Sequence, residues 1–255
     1  MKIKILVSGV LTFLVCCTFF YCSVDTDLFS FSNFIKEEDR LCKPDTRVYI
    51  PGFPINRFEK QVVEYEKSNK PEKLKNRILF YGSSTMVFWN PTLVQNFDGL
   101  PVLGHGFGGS TFPEMTYYAS RLVLKYEPKI LVIYCENDLF NTPAKSTKQV
   151  NDDVCEFITR INKSLPNTKI VYLAMKHSIG RDFGWEKMNE INLYVKNMSN
   201  TNNTLTYIDL NSELMNKQGV PDSSNFTNDY VHLNTNAYAK WSAKLKPILS
   251  NLYNQ

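Results

Sequence analysis

Short apolar runs of strand length recur along the chain after residue 57, separated by stretches with a helical pattern. The runs are continuous rather than alternating, which is typical of strands buried on both faces of a parallel sheet. Parallel neighbours need a crossover connection, so the spacing predicts right-handed βαβ units. The predicted strands are Arg77–Tyr81, Val102–Leu103, Ile130–Cys135, Lys169–Met175 and Leu205–Leu210, and the predicted helices are Phe112–Tyr126, Thr147–Ser164, Trp185–Ser199, Asn211–Lys217 and Thr235–Leu252.

This pattern predicts an α/β fold, a three-layer α/β/α sandwich around a flavodoxin-like parallel sheet of about five strands. In such sheets ligands bind at the carboxyl ends of the strands. Functional residues are therefore expected just after Tyr81, Leu103 and Cys135, where polar residues and glycines do cluster.

An uncharged, mostly apolar run covers residues 5–22 and follows Lys2 and Lys4. A helix of that length spans about 27 Å, close to the hydrocarbon thickness of a bilayer. We predict a signal peptide or signal anchor at residues 1–22, with possible membrane attachment through residues 5–22. The positive flank stays cytosolic, so the rest of the protein is expected to be secreted or membrane-anchored, outside the cytosol.

Beyond this segment, residues 23–56 are irregular and contain several prolines, which predicts a linker or an arm; residues 57–255 form the predicted domain. The formal net charge is only +4, which argues against nucleic acid as a partner, because phosphate contacts need a dense excess of Lys and Arg. The cysteines outside the apolar run are Cys42, Cys135 and Cys155, and their spacing does not resemble a zinc site. We predict neither a metal nor an organic cofactor.

A serine follows the first predicted strand, in Gly82-Ser83-Ser84-Thr85. On a strand-to-helix turn a serine is exposed beside backbone N–H groups, and the helix N-terminus stabilises a developing oxyanion. An ordinary helix N-cap is the alternative interpretation. Met86 occupies the last position of Gly-x-Ser-x-Gly, so the nucleophile elbow of the α/β-hydrolases is absent.

A glycine-rich loop follows the second strand and runs from Gly104 to Gly109. Its glycines let the backbone approach a ligand closely and donate N–H groups. The loop also matches Gly-x-Gly-x-x-Gly, so a dinucleotide site is an alternative. That fingerprint belongs after the first strand of a Rossmann unit, which disfavours it here.

Two further polar clusters complete the set. Asn137, in Glu136-Asn137-Asp138 after the third strand, can donate its amide N–H to a developing negative charge, or can simply close an Asx-turn. In Asp229-Tyr230-Val231-His232 the carboxylate can reach the imidazole Nδ1 and leave Nε2 free to accept a serine proton. A solvated aspartate and a capping histidine are the alternative. The other two histidines, His105 and His177, have no acid at comparable spacing.

In their order along the chain these four blocks resemble those of the SGNH hydrolases, also called GDSL-like lipases and acylhydrolases. The match runs from about Arg57 to the C-terminus, and Gly-Ser-Ser in place of Gly-Asp-Ser is similar to one branch of esterases. The Gly104-His105 pair departs from the Asn-Arg expected before Gly-Phe-Gly-Gly, which affects substrate contacts more than catalysis. The resemblance implies a catalytic set of Ser84, Asp229 and His232, and an oxyanion hole of Ser84, Gly109 and Asn137.

The resemblance further implies a serine esterase that hydrolyses carboxylic esters through an acyl-enzyme on Ser84. Its partner would be a small-molecule, glycan or lipid ester, and the lack of a lid-like insertion between the blocks favours short-acyl or O-acetyl groups. An acyltransferase to a carbohydrate hydroxyl and a non-catalytic, membrane-tethered ligand-binding protein are the alternatives. Four aromatic residues near the predicted site could line an acyl pocket or belong to the core: Phe88, Trp89, Phe107 and Phe112.

Overall fold

The computed structural model describes residues 54–141 and 143–255. The predicted signal segment, and nearly all of the predicted linker at residues 23–56, lie outside the described residues. Within the described ranges, none of the helices is sufficiently long and apolar to span a bilayer.

A five-stranded, all-parallel sheet forms the middle layer. Its strands are β1 (Ile78–Gly82), β2 (Val102–Gly106), β3 (Ile130–Tyr134), β4 (Lys169–Leu173) and β5 (Leu205–Ile208). The order across the sheet is β2-β1-β3-β4-β5, which is the flavodoxin-like order. Every residue of β1 and β3 is buried, as expected for central strands covered on both faces.

Six helices of the described residues cover the sheet: α1 (Glu59–Ser68), α2 (Ser84–Asn96), α3 (Phe112–Leu122), α4 (Thr147–Ser164), α5 (Trp185–Ser199) and α6 (Thr235–Asn254). Helices α2 and α6 pack together on one face, while α3, α4 and α5 pack in a row on the other, with α1 against α3. Ile78 and Phe80 of β1 belong to the core under α2 and α6. Tyr81 points the other way and stacks on Phe157 of α4. The predicted three-layer sandwich is confirmed.

Helix α1 was not predicted from the sequence. Its only buried residue is Val62, so it lacks a strong apolar stripe. Ion pairs hold it on the domain instead: Arg121 of α3 reaches Glu59 at 2.8 Å and Glu66 at 2.6 Å. Such pairing between distant segments leaves no local pattern in the sequence.

The predicted helix Asn211–Lys217 is wrong. Only a short 3-10 turn forms, at Asn211–Leu214, and Met215 then makes an isolated bridge with Pro221. Asp209 Oδ1 accepts hydrogen bonds from both the backbone N–H and the side-chain amide of Asn211, each at 2.8 Å. Local bonds of this kind compete with helix formation.

Candidate active site

The turn after β1 places Ser84 at the carboxyl edge of the sheet. Gly82 ends the strand so close to β3 that a Cβ atom on it would lie 2.1 Å from the carbonyl oxygen of Tyr134. Ser83 N–H donates to the same oxygen at 3.1 Å. Ser84 is the first residue of α2 and is only partly buried. Its own N–H therefore has no partner within the helix, and the positive end of the helix dipole lies at this position.

His232 reaches Ser84 from the loop that precedes α6. Its Nε2 atom lies 2.9 Å from Ser84 Oγ, although 148 positions separate the two residues. Its Nδ1 atom lies 2.5 Å from Asp229 Oδ2. With Nδ1 donating to the carboxylate, Nε2 is left to accept the serine proton. This is the geometry of a Ser-His-Asp triad.

Asp229 is held by hydrogen bonds on both of its oxygens. Oδ1 accepts from the backbone N–H groups of Val231 and His232 at 2.9 Å and from Thr227 Oγ1 at 2.8 Å. Burial alone would raise the pKa of the Asp229 carboxyl, but these bonds and the one from the His232 ring outweigh burial and lower that pKa. Tyr230 adopts a left-handed φ of 56°, which folds the chain back within one turn.

The glycine-rich loop lies beside the serine. Phe107 N–H donates to Gly82 O at 2.9 Å, and a Cβ atom on Gly108 would lie 3.9 Å from the Cβ of Ser84. Gly109 has a φ of +79°, in the left-handed region that favours glycine. The loop therefore carries Gly109 to the edge of the sheet next to Ser84.

A buried acid and an arginine clamp this loop, and neither was predicted from the sequence. Arg57 donates to Gly109 O at 2.7 Å and pairs with Glu114 at 2.5 Å. Glu114 also accepts from the N–H and the hydroxyl of Thr111, both at 2.9 Å, in a capping box that starts α3. The Thr-x-x-Glu spacing could have indicated Glu114. The sequence holds no comparable signal for Arg57.

Asn137 follows β3 and is nearly fully buried. Its Nδ2 atom donates to Ser110 O at 2.9 Å, which ties the amide to the glycine-rich loop. The second N–H of that amide stays available to a ligand. Ser84, Gly109 and Asn137 thus follow three neighbouring strands, β1, β2 and β3, and meet at one edge, where N–H donors can stabilise a negatively charged oxygen.

The other two histidines face elsewhere. His105 is fully buried and contacts Leu122 O through Nδ1 at 2.9 Å and Asn69 Nδ2 through Nε2 at 3.1 Å. Burial lowers the pKa of His105 to about 4. His177 contacts Asn189 Oδ1 at 2.8 Å.

Of the four aromatic residues considered for a pocket, Trp89, Phe107 and Phe112 are core residues with 0% exposure. Phe88 is 51% exposed and packs against the His232 ring. It is therefore the one member of this set that a substrate can reach. Across residues 54–141 and 143–255, no group of three or more His, Cys, Asp or Glu side chains is arranged to hold a metal ion.

No family model matches the chain, and no curated protein matches it. Several solved structures do match the chain in fold. A protein from Bacteroides fragilis described as an acylhydrolase is 18% identical with a TM-score of 0.63, covering 81% of this chain and 99% of its own. A GDSL-like lipase from Bacteroides thetaiotaomicron is 16% identical with a TM-score of 0.64, covering 78% and 99%.

An acetylxylan esterase from Geobacillus stearothermophilus, solved as a catalytic mutant, is 14% identical with a TM-score of 0.55, covering 68% of this chain and 94% of its own. Likeness at these identities concerns the fold. The fold implied by the resemblance to the SGNH hydrolases is confirmed.

Proposed function

We propose that this protein is a serine esterase of the SGNH type, which hydrolyses carboxylic esters through an acyl-enzyme on Ser84. The observation that carries the proposal is the continuous hydrogen-bonded chain from Asp229 through His232 to Ser84, with 2.5 Å and 2.9 Å between the bonded atoms. In such a chain the carboxylate orients the imidazole and stabilises its protonated form, so that the serine hydroxyl becomes a nucleophile.

In the first half of the reaction, His232 Nε2 takes the hydroxyl proton while Ser84 Oγ bonds to the ester carbonyl carbon. The carbonyl oxygen becomes an oxyanion that accepts hydrogen bonds from the N–H groups of Ser84 and Gly109 and from Asn137 Nδ2. When the intermediate collapses, the bond to the alcohol oxygen breaks and His232 gives its proton to the departing alcohol.

In the second half, His232 removes a proton from water and the hydroxide attacks the acyl carbon. The same N–H donors stabilise the second oxyanion. The bond to Ser84 Oγ then breaks, His232 returns the proton to the serine, and a carboxylic acid leaves. The lowered pKa of Asp229 supports this cycle, because the carboxylate stays ionised while the imidazole gains and loses its proton.

We favour a short-acyl or O-acetyl ester as substrate, of a small molecule or a glycan rather than of a lipid. Three of the four aromatic residues that could have formed a deep acyl pocket, Trp89, Phe107 and Phe112, are enclosed in the core. Phe88, the fourth of them, offers an apolar wall of limited size. The fold-related acetylxylan esterase is consistent with an acetyl ester.

An acyltransferase to a carbohydrate hydroxyl is the second candidate. The side chain of His232 is 25% exposed and Ser84 is only partly buried, so a sugar hydroxyl could take the place of water. Product analysis with and without a carbohydrate acceptor separates the two activities: free carboxylic acid marks the esterase, and an acylated sugar marks the transferase.

We also propose that the domain acts outside the cytosol, secreted or attached to a membrane through residues 5–22. The apolar run with Lys2 and Lys4 before it supports this location. Protease added to intact cells, or analysis of the medium, tests it: protection of the domain until the cells are lysed would refute the proposal.

The decisive experiment is covalent labelling of the full-length protein with a fluorophosphonate, together with hydrolysis of p-nitrophenyl acetate, butyrate and octanoate. We expect labelling and fastest turnover of the acetate in the wild type, and loss of both in Ser84→Ala. Ser164→Ala is the matched control, because Ser164 is exposed near the end of α4. A wild-type protein that is neither labelled nor active would indicate the non-catalytic ligand-binding alternative.

A further inference from the structure

A buried carboxylate with two cations adjoins Asn137. Glu136 Oε1 contacts Lys176 Nζ at 2.6 Å and Arg181 Nη1 at 2.8 Å, and Tyr134 donates its hydroxyl to Oε2 at 2.5 Å. The side chains of Glu136 and Lys176 are only 4% and 1% exposed. Burial alone would raise the pKa of Glu136, but the charges of Lys176 and Arg181 outweigh burial and lower that pKa. Neither the triad nor the oxyanion hole uses these residues directly.

The guanidinium of Arg181 is shared between this carboxylate and the oxyanion hole. While Nη1 bonds to Glu136, Nη2 donates to Asn137 Oδ1 at 3.2 Å. A guanidinium has donors and no acceptor, so only the oxygen of an amide can face it. The contact therefore excludes the flipped amide, in which Nδ2 would face Arg181 and the oxygen would face the oxyanion. Asn137 Nδ2, bonded to Ser110 O at 2.9 Å, is held on the side of the glycine-rich loop.

The segment that carries Arg181 is fixed against the loop that carries Asp229 and His232. It is a 3-10 turn, Ile179–Gly184. Gly180 N–H donates to Tyr230 O at 2.9 Å, and a Cβ atom on Gly180 would lie 2.8 Å from Val231 Cγ2. The guanidinium carbon of Arg181 also lies 4.3 Å from the centroid of the Phe140 ring, within the range of a cation–π contact. The turn that carries Arg181 thus connects the loop of Asp229 and His232 to the oxyanion hole.

We propose that Arg181 is a positioning residue of the active site, which holds the Asn137 amide with its N–H groups toward the oxyanion. Glu136 orients the guanidinium, and Lys176 pairs with the same carboxylate oxygen. The inference rests on the proposed esterase function.

Kinetics of three variants test the role. Arg181→Met removes the guanidinium that bonds to Glu136 and Asn137. We expect kcat to fall roughly 10- to 100-fold with KM nearly unchanged, since the contact with Asn137 matters most when the oxyanion forms. Arg181→Lys keeps the charge but lacks the planar guanidinium, whose two nitrogens reach Glu136 and Asn137 separately, so its kcat should lie between those of the wild type and Arg181→Met. Arg160→Met is the matched control, because Arg160 is an exposed arginine near the end of α4.

A double variant identifies the residue through which Arg181 acts. In an Asn137→Ala background, adding Arg181→Met should change kcat by less than about twofold, because the positioned group is already gone. Wild-type kcat in either Arg181 variant would overturn the proposal. So would a double variant whose kcat falls by the product of the fold-decreases measured for Asn137→Ala and Arg181→Met.

A measurement without substrate separates this proposal from the esterase itself. The side-chain amide of Asn137, observed by NMR in the full-length protein, should be rigid in the wild type and become mobile in Arg181→Met, or in Arg181→Lys should the methionine variant not fold. Identical amide signals and mobility would overturn the positioning role even in an active esterase. A wild type that hydrolyses no ester but whose amide loosens in the variants would refute the esterase and support the positioning role.

Discussion

The ring of Phe88 packs edge-on against the imidazole of His232, with 4.7 Å between ring centroids and 70° between planes. Phe88 lies one turn after Ser84 on α2, so both side chains share one face of that helix. The ring restrains the imidazole on one side and remains 51% exposed on the other. An exposed aromatic residue beside a triad offers a bound substrate an apolar wall.

We therefore expect Phe88→Ala to lower kcat/KM for p-nitrophenyl acetate by roughly tenfold, because both the restraint on His232 and the wall are lost. The thermal midpoint should hardly move, since little buried surface is removed. Val94→Ala is the control, because Val94 is 71% exposed on the same helix. Equal kinetics in the two variants would show that the Phe88 ring has no part in the reaction.

Asp229→Asn should lower kcat by about 10²- to 10⁴-fold, because a neutral amide cannot stabilise the imidazolium. The hydrogen bonds to Asp229 lower its pKa, so in the wild type this carboxylate stays ionised and loses its contribution only in strong acid. The acid limb of kcat/KM should thus contain no protonation of Asp229 above pH 4. Asp222→Asn is the control, since Asp222 is a turn cap that binds Ser224 N–H. A two-proton acid limb between pH 4 and pH 7 would contradict this assignment.

Asn137→Ala should reduce kcat by about 10²- to 10³-fold, a loss of roughly 2.7–4 kcal/mol of transition-state stabilisation, with a small change in KM. Asn137→Asp should be less active still, since a carboxylate would repel the oxyanion. Steady-state kinetics with p-nitrophenyl acetate measure kcat and KM of the two variants. Activity in the aspartate variant close to the wild-type level would show that Asn137 is not part of the oxyanion hole.

His105 should make the folded state sensitive to mild acid. Burial lowers the pKa of His105 from its ordinary value of 6.5 to about 4, so between these pH values the unfolded chain binds a proton that the native protein does not. The stabilisation is complete above pH 6.5 and decreases as the pH falls, by on the order of 3 kcal/mol at pH 4. Urea unfolding across this pH range measures the free energy of unfolding. Its dependence on pH should become weaker in His105→Gln. An NMR titration that places the His105 pKa near 6.5 in the native protein would disprove the effect.

The main elements of the fold were predictable because they depend on local pattern. Continuous apolar runs predicted all five strands, and Thr147–Ser164 and Trp185–Ser199 are helices with the predicted bounds. Ser146 caps the first of these through Gln149 N–H, in a capping box. Helix α1 was not predicted because ion pairs to another element hold it in place. The helix predicted at Asn211–Lys217 does not form, because side-chain bonds to the backbone compete with it.

The sequence by itself determined which residues end each strand at one edge of a parallel sheet. Strands that alternate with helices pair in parallel, and the crossover connections between them are right-handed. It therefore placed Ser84, Asn137 and the glycine-rich loop in one region and Asp229 next to His232. Only the tertiary structure decided that Arg57 holds Gly109, that Arg181 faces Asn137 Oδ1, and that Phe88 alone among the candidate aromatic residues reaches solvent. The reason is physical: these contacts join segments far apart in the chain, and their direction depends on how helices and loops pack, which leaves no periodic signal in the sequence.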